Sequence, residues 1–321
     1  MGYVAFFSDM HYYSYDMHKT ERNTVMNSDQ KYKDYMVQGM ALNNEVRFFA
    51  ATTKDLVEKA RTIHQTSPVC TAALGRLLTA GVLMSPTLKN EDDILTLKIN
   101  GDGPAKSLTV TTNVKGEVKG IIYNPRVIVP ANSAGHLNVG AAIGAGTLTV
   151  IRDLGLGEPY AGTINLVSGE IAEDLTYYYA ESEQIPTSVG LGVLMNKNNT
   201  VSCAGGFIIQ LMPFASEETI SRLEKGLAEF SSVTDILSEG ASPEEMIDKI
   251  IGDESLVITG RKDVSYKCNC SFERVSKALI SLGKKELQKM IDDNEPITVN
   301  CEFCKSSYTF EIDDLKKMIG S

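Results

Sequence analysis

The chain from residue 35 to about residue 213 contains mainly strand patterns. Apolar side chains recur at every second position at Val46, Phe48 and Ala50, as in a strand with one buried face. Helical spacing is confined to a few segments and does not alternate regularly with the strands, so we predict an α+β domain on a mostly antiparallel sheet. The predicted elements are strands 45–53, 94–100, 147–152 and 160–167, hairpins 107–123 and 189–211, and helices 56–63, 69–84 and 170–180.

The pattern changes to helix beyond Pro213. Ser216 is placed to cap one helix. Ser242 begins a second helix, with Glu245 completing a capping box and Gly252 ending it. The apolar faces of these helices need a packing partner, and they contain Ile220, Leu223, Leu227, Phe230, Met246, Ile247 and Ile250.

We predict four segments along the 321 residues. Residues 1–30 are rich in Tyr, Met and His and lack the features of a signal peptide, so we expect a leader or a misassigned extension. Residues 31–214 form the sheet domain, residues 215–263 an acidic helical linker, and residues 264–321 a small zinc-binding domain.

Charge, hydropathy and glycine spacing each argue against one class of partner. The formal charge is -10, and the linker carries 12 acidic residues against 5 basic ones, without a basic stripe for nucleic acid. No apolar stretch approaches the roughly 20 residues that span a bilayer, so we predict no membrane partner. The glycines at 140, 144 and 146 lack the order of a dinucleotide loop, so we predict no nucleotide.

Four of the six cysteines form two closely spaced pairs near the C-terminus. Cys268 and Cys270 are separated by one residue, and Cys301 and Cys304 by two. Two thiolate pairs on segments that can converge supply the four ligands of a tetrahedral zinc ion. The sequence therefore predicts one zinc site formed by these four residues.

The same residues argue against catalysis at the metal. No histidine occurs after His136, so four sulfur atoms fill the coordination sphere and leave no position for a reactive water. The other two cysteines, Cys70 and Cys203, lie in or beside apolar segments and are interpreted as buried small hydrophobes. We predict that the protein is not an enzyme.

Three functions are compatible with a four-cysteine tail. One is a redox switch, since zinc-bound cysteines are thiolates, the form that oxidants attack. A second is a zinc ribbon that binds nucleic acid, which the charge makes less favourable. The third is a thiol oxidoreductase that uses Cys301 and Cys304, although such enzymes place their cysteines at a helix N-terminus in a βαβ unit.

Short motifs in both parts of the chain narrow this choice. The tail reads CNCS at 268–271, ERV at 273–275, LGKKEL at 282–287 and VNCEFC at 299–304, followed by Tyr308 and Phe310. The sheet domain reads GDGP at 101–104, YAG at 160–162, SGEIAED at 168–174, SEQIP at 182–186 and AGGF at 204–207. Together, from about residue 35 to 318, these segments resemble the redox-regulated holdase chaperones called heat-shock protein 33.

The resemblance implies a bacterial, cytoplasmic, ATP-independent chaperone that is inactive while reduced and zinc-bound. Under oxidative stress, usually with heat, such a protein forms two disulfides, here Cys268 to Cys270 and Cys301 to Cys304. It then releases zinc, unfolds its linker and tail, forms a homodimer and holds unfolding client proteins.

The energies of the two kinds of cross-link agree with this expectation. A structural zinc contributes on the order of 10 to 16 kcal/mol to the folding of a small module. Disulfides that close rings of three or four residues contribute roughly 2 kcal/mol each, and neither spans the gap from Cys270 to Cys301. We therefore expect oxidation to unfold the tail and to expose the apolar faces of the linker helices.

Overall fold

The structure is a computed structural model that describes residues 33–320 except residues 156 and 254. The predicted leader, residues 1–30, lies outside the described residues. The predicted α+β class with antiparallel sheets is confirmed: within the described chain, two large sheets account for the strands up to residue 266 and a small hairpin follows in the tail.

The first large sheet has five strands in the order β10-β1-β2-β9-β8, and all neighbours are antiparallel. Alternating and continuous apolar runs explain why these segments are strands buried on one or both faces. The strands are β1 (Tyr35–Ala41), β2 (Val46–Thr52), β8 (Thr187–Met195), β9 (Val201–Leu211) and β10 (Val257–Asp263).

The second large sheet has six strands in the order β11-β5-β4-β3-β6-β7. Its neighbours are antiparallel except for the short parallel pair of β11 and β5. The hairpin predicted over residues 107–123 is formed by β4 and β5, with Lys115 and Gly116 in its turn. The strands are β3 (Ile94–Gly101), β4 (Ser107–Asn113), β5 (Glu117–Ile122), β6 (Gly146–Asp153), β7 (Tyr160–Asn165) and β11 (Ser265–Tyr266).

A long apolar helix, α2 (Pro68–Met84), lies between the two sheets and forms the main core with α1 (Lys54–His64). Gly81 permits a close approach to the six-stranded sheet, because a Cβ there would lie 3.0 Å from Val110. Two short helices, α3 (Val139–Ile143) and α4 (Ala172–Tyr178), complete this region.

Helix α2 contradicts the expectation that no apolar stretch is long enough to span a bilayer. The segment Pro68–Thr87 is long and apolar enough, by length and composition, to cross a membrane, with a mean hydropathy of 1.4. In the structure 89% of its apolar window is buried. The core helix of a folded domain passes the same test, so this helix alone is weak evidence for a membrane span.

Three helices pack on the outer face of the five-stranded sheet: α5 (Glu217–Glu229), α6 (Val233–Ser238) and α7 (Pro243–Ile251). The predicted caps are confirmed. Ser216 Oγ accepts a hydrogen bond from the Thr219 N–H, and Ser242 and Glu245 form a reciprocal capping box. Gly252 ends α7 in the left-handed conformation. These helices and the sheet share a second core.

The segment predicted to be a helical linker, residues 215–263, contains a strand at its C-terminal end. Residues 257–263 form β10, which pairs with β1, more than 200 positions earlier in the chain. The run Val257, Ile258, Thr259 has β propensity, but its partner is too distant in sequence for a local pattern to reveal the pairing. The domain boundaries stay predictions.

The tail contains one hairpin and three helices. The second strand of the hairpin ends at Phe310, and a helix begins at Ile312. The three helices were not predicted. Their cluster of buried side chains is small, and consists of Leu279, Leu287, Phe310 and Leu315. The elements are β12 (Ile297–Asn300), β13 (Ser307–Phe310), α8 (Phe272–Ile280), α9 (Lys284–Asp292) and α10 (Ile312–Gly320).

Candidate metal centre

Two different local structures position the four cysteines. Cys268 and Cys270 lie between β11 and α8, whose N-cap is Ser271. Cys301 and Cys304 lie in the turn that joins β12 to β13. This turn is closed by the Lys305 N–H, which donates to the Cys301 carbonyl at 2.7 Å. These local contacts shape each segment, and in the folded tail the two segments, separated by 30 residues in sequence, lie side by side.

The four Sγ atoms all lie within 4.8 Å of one another. Two separations cross between the segments: Cys268 to Cys301 at 3.7 Å and Cys270 to Cys304 at 3.3 Å. A tetrahedral zinc ion with Zn–S bonds near 2.3 Å requires S–S separations of about 3.8 Å. Four sulfur atoms at this spacing fit one tetrahedrally coordinated metal ion. The four cysteines predicted as ligands are therefore the residues that the structure brings together.

The environment of the sulfurs differs from one cysteine to the next. Burial raises the pKa of Cys268 to about 12, and neighbouring sulfurs add to this effect. At Cys304 burial also raises the pKa, but hydrogen bonds from Ser306 and from neighbouring cysteines outweigh it and lower the pKa to about 6. Clustered thiols resist joint ionisation because like charges repel, so a cation is needed to keep all four as thiolates.

Two hydroxyl groups support the sulfurs from outside the cluster. Tyr308 donates from its Oη to Cys270 Sγ at 3.1 Å, and Cys304 Sγ lies 3.3 Å from Ser306 Oγ. Such outer contacts orient ligands and tune their basicity. The sequence motif includes Tyr308, but its contact with Cys270 follows only from the register of β12 and β13.

The cysteine cluster is docked on the sheet domain through Tyr266, which is 2% exposed. Its hydroxyl lies 2.5 Å from the carbonyl oxygen of Phe303, 3.0 Å from that of Gly120 and 3.1 Å from His64 Nε2. Phe303 stands between the two cysteines of the second pair. One buried hydroxyl thus joins the tail, β5 and α1, a role that sequence reasoning missed.

Lys119 of β5 contacts the middle residues of both cysteine pairs. Its Nζ donates to Asn269 Oδ1 at 2.7 Å and lies 4.7 Å from the centroid of the Phe303 ring. Nearby, Lys267 forms an ion pair with Glu117. The alternation of apolar and polar residues along β5 predicts which side chains point to solvent. It does not predict that Lys119 contacts the segments that carry the cysteines.

The two remaining cysteines lie away from the cluster. Cys70 is buried with its sulfur 3.4 Å from the Asn124 carbonyl, and Cys203 is buried with its sulfur 3.6 Å from the Thr234 carbonyl. Burial raises the pKa of both thiols, which keeps them protonated and unreactive. Their predicted burial is confirmed.

Comparison with known proteins decides the family. The family described as Hsp33 protein matches residues 34–311 of this chain. The chain belongs to the Hsp33 family. Among its relatives, the 33 kDa chaperonin of Agathobacter rectalis is 53% identical over 285 residues, which are 89% of this chain and 99% of the relative. That of Lachnoclostridium phytofermentans is 52% identical over 286 residues, covering 89% and 98% of the two chains.

The fold agrees with a solved Hsp33 structure. The crystal structure of the 33 kDa chaperonin (heat shock protein 33 homolog) from Thermotoga maritima matches with a TM-score of 0.82 at 34% sequence identity. The match covers 90% of this chain and 98% of the other. The resemblance inferred from the short motifs is therefore confirmed, and the four-cysteine cluster belongs to an Hsp33 fold.

Proposed function

We propose that the protein is a redox-regulated, ATP-independent holdase chaperone of the cytoplasm. The observation that carries the proposal is the convergence of four sulfurs from two chain segments in a tail with little core of its own. The tail buries four side chains in its cluster, so its fold depends on whatever joins Cys268 and Cys270 to Cys301 and Cys304.

The four cysteines would hold one zinc ion, which would keep their sulfurs as thiolates and cross-link the two segments. Tyr308 and Ser306 contact the sulfurs of Cys270 and Cys304 and help to hold them in place. On the sheet domain, Tyr266 contacts the backbone between the second pair of cysteines. In this reduced form the tail is docked and the chaperone is inactive.

Oxidation by a peroxide changes the connections between these segments. One cysteine thiolate attacks a peroxide oxygen, the O–O bond breaks and a sulfenic acid forms. The partner thiolate then displaces hydroxide from that sulfur, so two electrons pass to the peroxide for each disulfide. The proposed bridges, Cys268 to Cys270 and Cys301 to Cys304, consume all four metal-binding thiolates. Neither bridge joins the two segments, so the tail loses its long-range cross-link.

Unfolding of the tail and linker would uncover a large apolar surface. The helices α5, α6 and α7 cover one face of the five-stranded sheet with Leu223, Met246, Ile247 and Ile250. Removal of these helices exposes both their own apolar side chains and those of the sheet, and such a surface suits non-native proteins. The sheet side chains concerned are Val37, Val46, Phe48, Ala50, Phe207 and Ile209.

The proposed partners are unfolding client proteins and, in the oxidised state, a second copy of the chain. Nucleotide, nucleic acid and membrane are not part of the proposal, and no catalytic reaction is assigned. The zinc-ribbon alternative gains no support from the tail, because several of its bases are neutralised locally. These ion pairs are Lys277 with Glu273, Lys289 with Glu286, Lys305 with Glu302, Lys316 with Asp313 and Lys317 with Asp314.

A combined assay tests the proposal. The zinc-loaded, reduced protein is treated with hydrogen peroxide at raised temperature, while released zinc and the light scattering of a heat-denatured client are followed together. We expect about one zinc per chain to be released as scattering is suppressed, and reduction with added zinc to reverse both effects. A variant in which Cys70 and Cys203 are changed to Ala should behave in the same way.

Disulfide mapping by mass spectrometry completes the test, because the sulfur distances also permit bridges between the segments. Bridges from Cys268 to Cys301 and from Cys270 to Cys304 would keep the tail closed and would contradict the proposed switch. Release of zinc without any effect on scattering, in both redox states, would contradict the holdase function itself.

A further inference from the structure

Strand β10 contributes little to the core that it borders. Among the residues that the structure describes, β10 lies at one edge of the five-stranded sheet, and all seven of its residues are exposed or half-buried. Even its apolar residues remain accessible, with Val257 54% exposed and Ile258 38% exposed. Its removal would therefore uncover little apolar surface of its own.

Strand β10 and the strand it covers differ in charge. Residues Arg261, Lys262 and Asp263 form the end of β10, whereas β1 has the sequence YMVQGMA and carries no charge. Charged residues on an exposed edge discourage pairing with other chains, and an uncharged strand with free backbone groups invites it. The charged strand β10 thus covers the uncharged edge of β1, which could otherwise pair with another chain.

The attachment of β10 to β1 is mainly polar. The pairing register shifts between Gln38 and Gly39, which interrupts the ladder. The Arg261 guanidinium lies 3.8 Å from the centroid of the Tyr35 ring, and Thr259 Oγ1 donates to the Gln38 carbonyl at 3.3 Å. These contacts can be replaced by water at modest cost, unlike the apolar contacts of a core strand.

The chain connects β10 directly to the cysteine cluster. Asp263, the last residue of β10, is followed by Val264, then by β11, and Cys268 stands five positions after Asp263. Between them, Tyr266 fixes the chain to Phe303 and β5. When the tail unfolds, this end of β10 loses the contact of Tyr266 with Phe303 and keeps only the buried Val264, whose N–H donates to the Asp34 carbonyl.

We propose that the edge of β1, once β10 has left it, binds an extended segment of a non-native polypeptide as an added strand. This inference rests on the proposed function and specifies its client site. Recognition through main-chain hydrogen bonds requires no particular sequence, which suits a partner defined only by being unfolded. The alternate side chains of such a segment would lie beside the apolar face that contains Val37, after the linker helices have gone.

The test uses a labelled synthetic peptide with the sequence of residues 256–263, which is known from the structure to fit the edge. Two further peptides carry backbone N-methyl groups at alternate positions, one at 261 and 263 and the other at 260 and 262. Along an antiparallel strand only one of these sets directs its N–H groups towards β1. We expect the oxidised full chain to bind the parent peptide, and one of the two methylated peptides to bind about tenfold more weakly or worse.

Hydrogen exchange on the full chain with a heat-denatured client provides the second measurement. The outward amides of residues 35–41 should be protected in the reduced protein, exchange rapidly after oxidation, and become protected again with client, while β2 stays protected throughout. If aggregation is suppressed but both methylated peptides bind like the parent and β1 stays unprotected, the edge site is refuted and the holdase function stands. If oxidation suppresses no aggregation, both are refuted.

Discussion

The sheet domain and the cysteine tail are stabilised in different ways. Among the described residues, the cluster around α2 contains 44 buried residues, whereas the tail cluster contains four. We therefore expect the first region to fold through burial of apolar surface and the second to depend on a cross-link between its cysteine segments. Under the proposed function, this difference would let one chemical event unfold the tail while the sheet domain persists.

The largest effect should come from removing one sulfur. We expect Cys301→Ser to lose tight zinc binding and to unfold the tail under reducing conditions, a loss on the order of 10 kcal/mol for that region. Zinc analysis measures metal binding and hydrogen exchange measures unfolding of the tail. The amides of the sheet domain should remain protected from exchange. Cys203→Ala is the matched control and should keep its zinc. Stoichiometric zinc in the Cys301 variant would contradict the four-sulfur site.

A pair of core substitutions compares the two regions directly. Leu77 is fully buried in the main cluster around α2, and Leu77→Ala should lower the free energy of unfolding in urea by about 2 to 5 kcal/mol. With zinc bound, Leu287→Ala should lower the free energy of unfolding of the tail by about 2 to 5 kcal/mol. With a zinc chelator the Leu287 effect should vanish, because the tail is already unfolded, while the Leu77 effect persists. Equal persistence of both effects would remove the distinction between the regions.

A buried carboxyl gives the sheet domain its own pH dependence. Asp34 is 5% exposed and accepts a hydrogen bond from the Leu56 N–H at 2.7 Å. Burial, with a smaller contribution from Asp55, raises its pKa to about 7. The folded state therefore holds a proton that the unfolded chain releases near pH 4, so stability falls as the pH rises from about 4 to 7 and then levels off.

The expected loss across that pH range is roughly 2 to 4 kcal/mol, and Asp34→Asn should abolish it. Urea midpoints at pH 5 and pH 8 provide the measurement. Asp93→Asn is the control, because backbone N–H groups of Asn90 and Lys89 lower the pKa of Asp93 and place its effect below pH 4. An unchanged slope in the Asp34 variant would assign the pH dependence to other groups.

The smallest effect concerns the contact between the regions. Tyr266→Phe removes the hydroxyl beside Phe303, Gly120 and His64, and should weaken docking of the tail by about 1 to 3 kcal/mol. We expect zinc affinity to stay the same and the temperature at which peroxide activates the protein to fall. Tyr308→Phe is the contrasting variant, because its hydroxyl contacts a sulfur instead of the sheet domain. An unchanged activation temperature for Tyr266→Phe would show that this contact does not restrain the tail.

Features with a local cause were predictable from the sequence. Ser242 and Glu245 cap a helix because the hydrogen bonds join residues three apart, and Lys115 with Gly116 turns a hairpin for a similar reason. The cysteine spacing indicated a metal site because a tetrahedral zinc ion takes four ligands, and two closely spaced pairs supply four sulfurs. These patterns, together with the short motifs, were sufficient for the fold class and for the family.

Other features depend on residues far apart in the chain. Strand β10 was assigned to a helical linker because its partner, β1, lies more than 200 residues earlier, and the docking roles of Tyr266 and Lys119 arise from the same kind of distant contact. The sequence by itself therefore determined the chemistry of the cysteines and the local caps and turns. Only the tertiary structure decided how the cysteine centre is joined to the sheet, because that depends on which surfaces meet after the chain has folded.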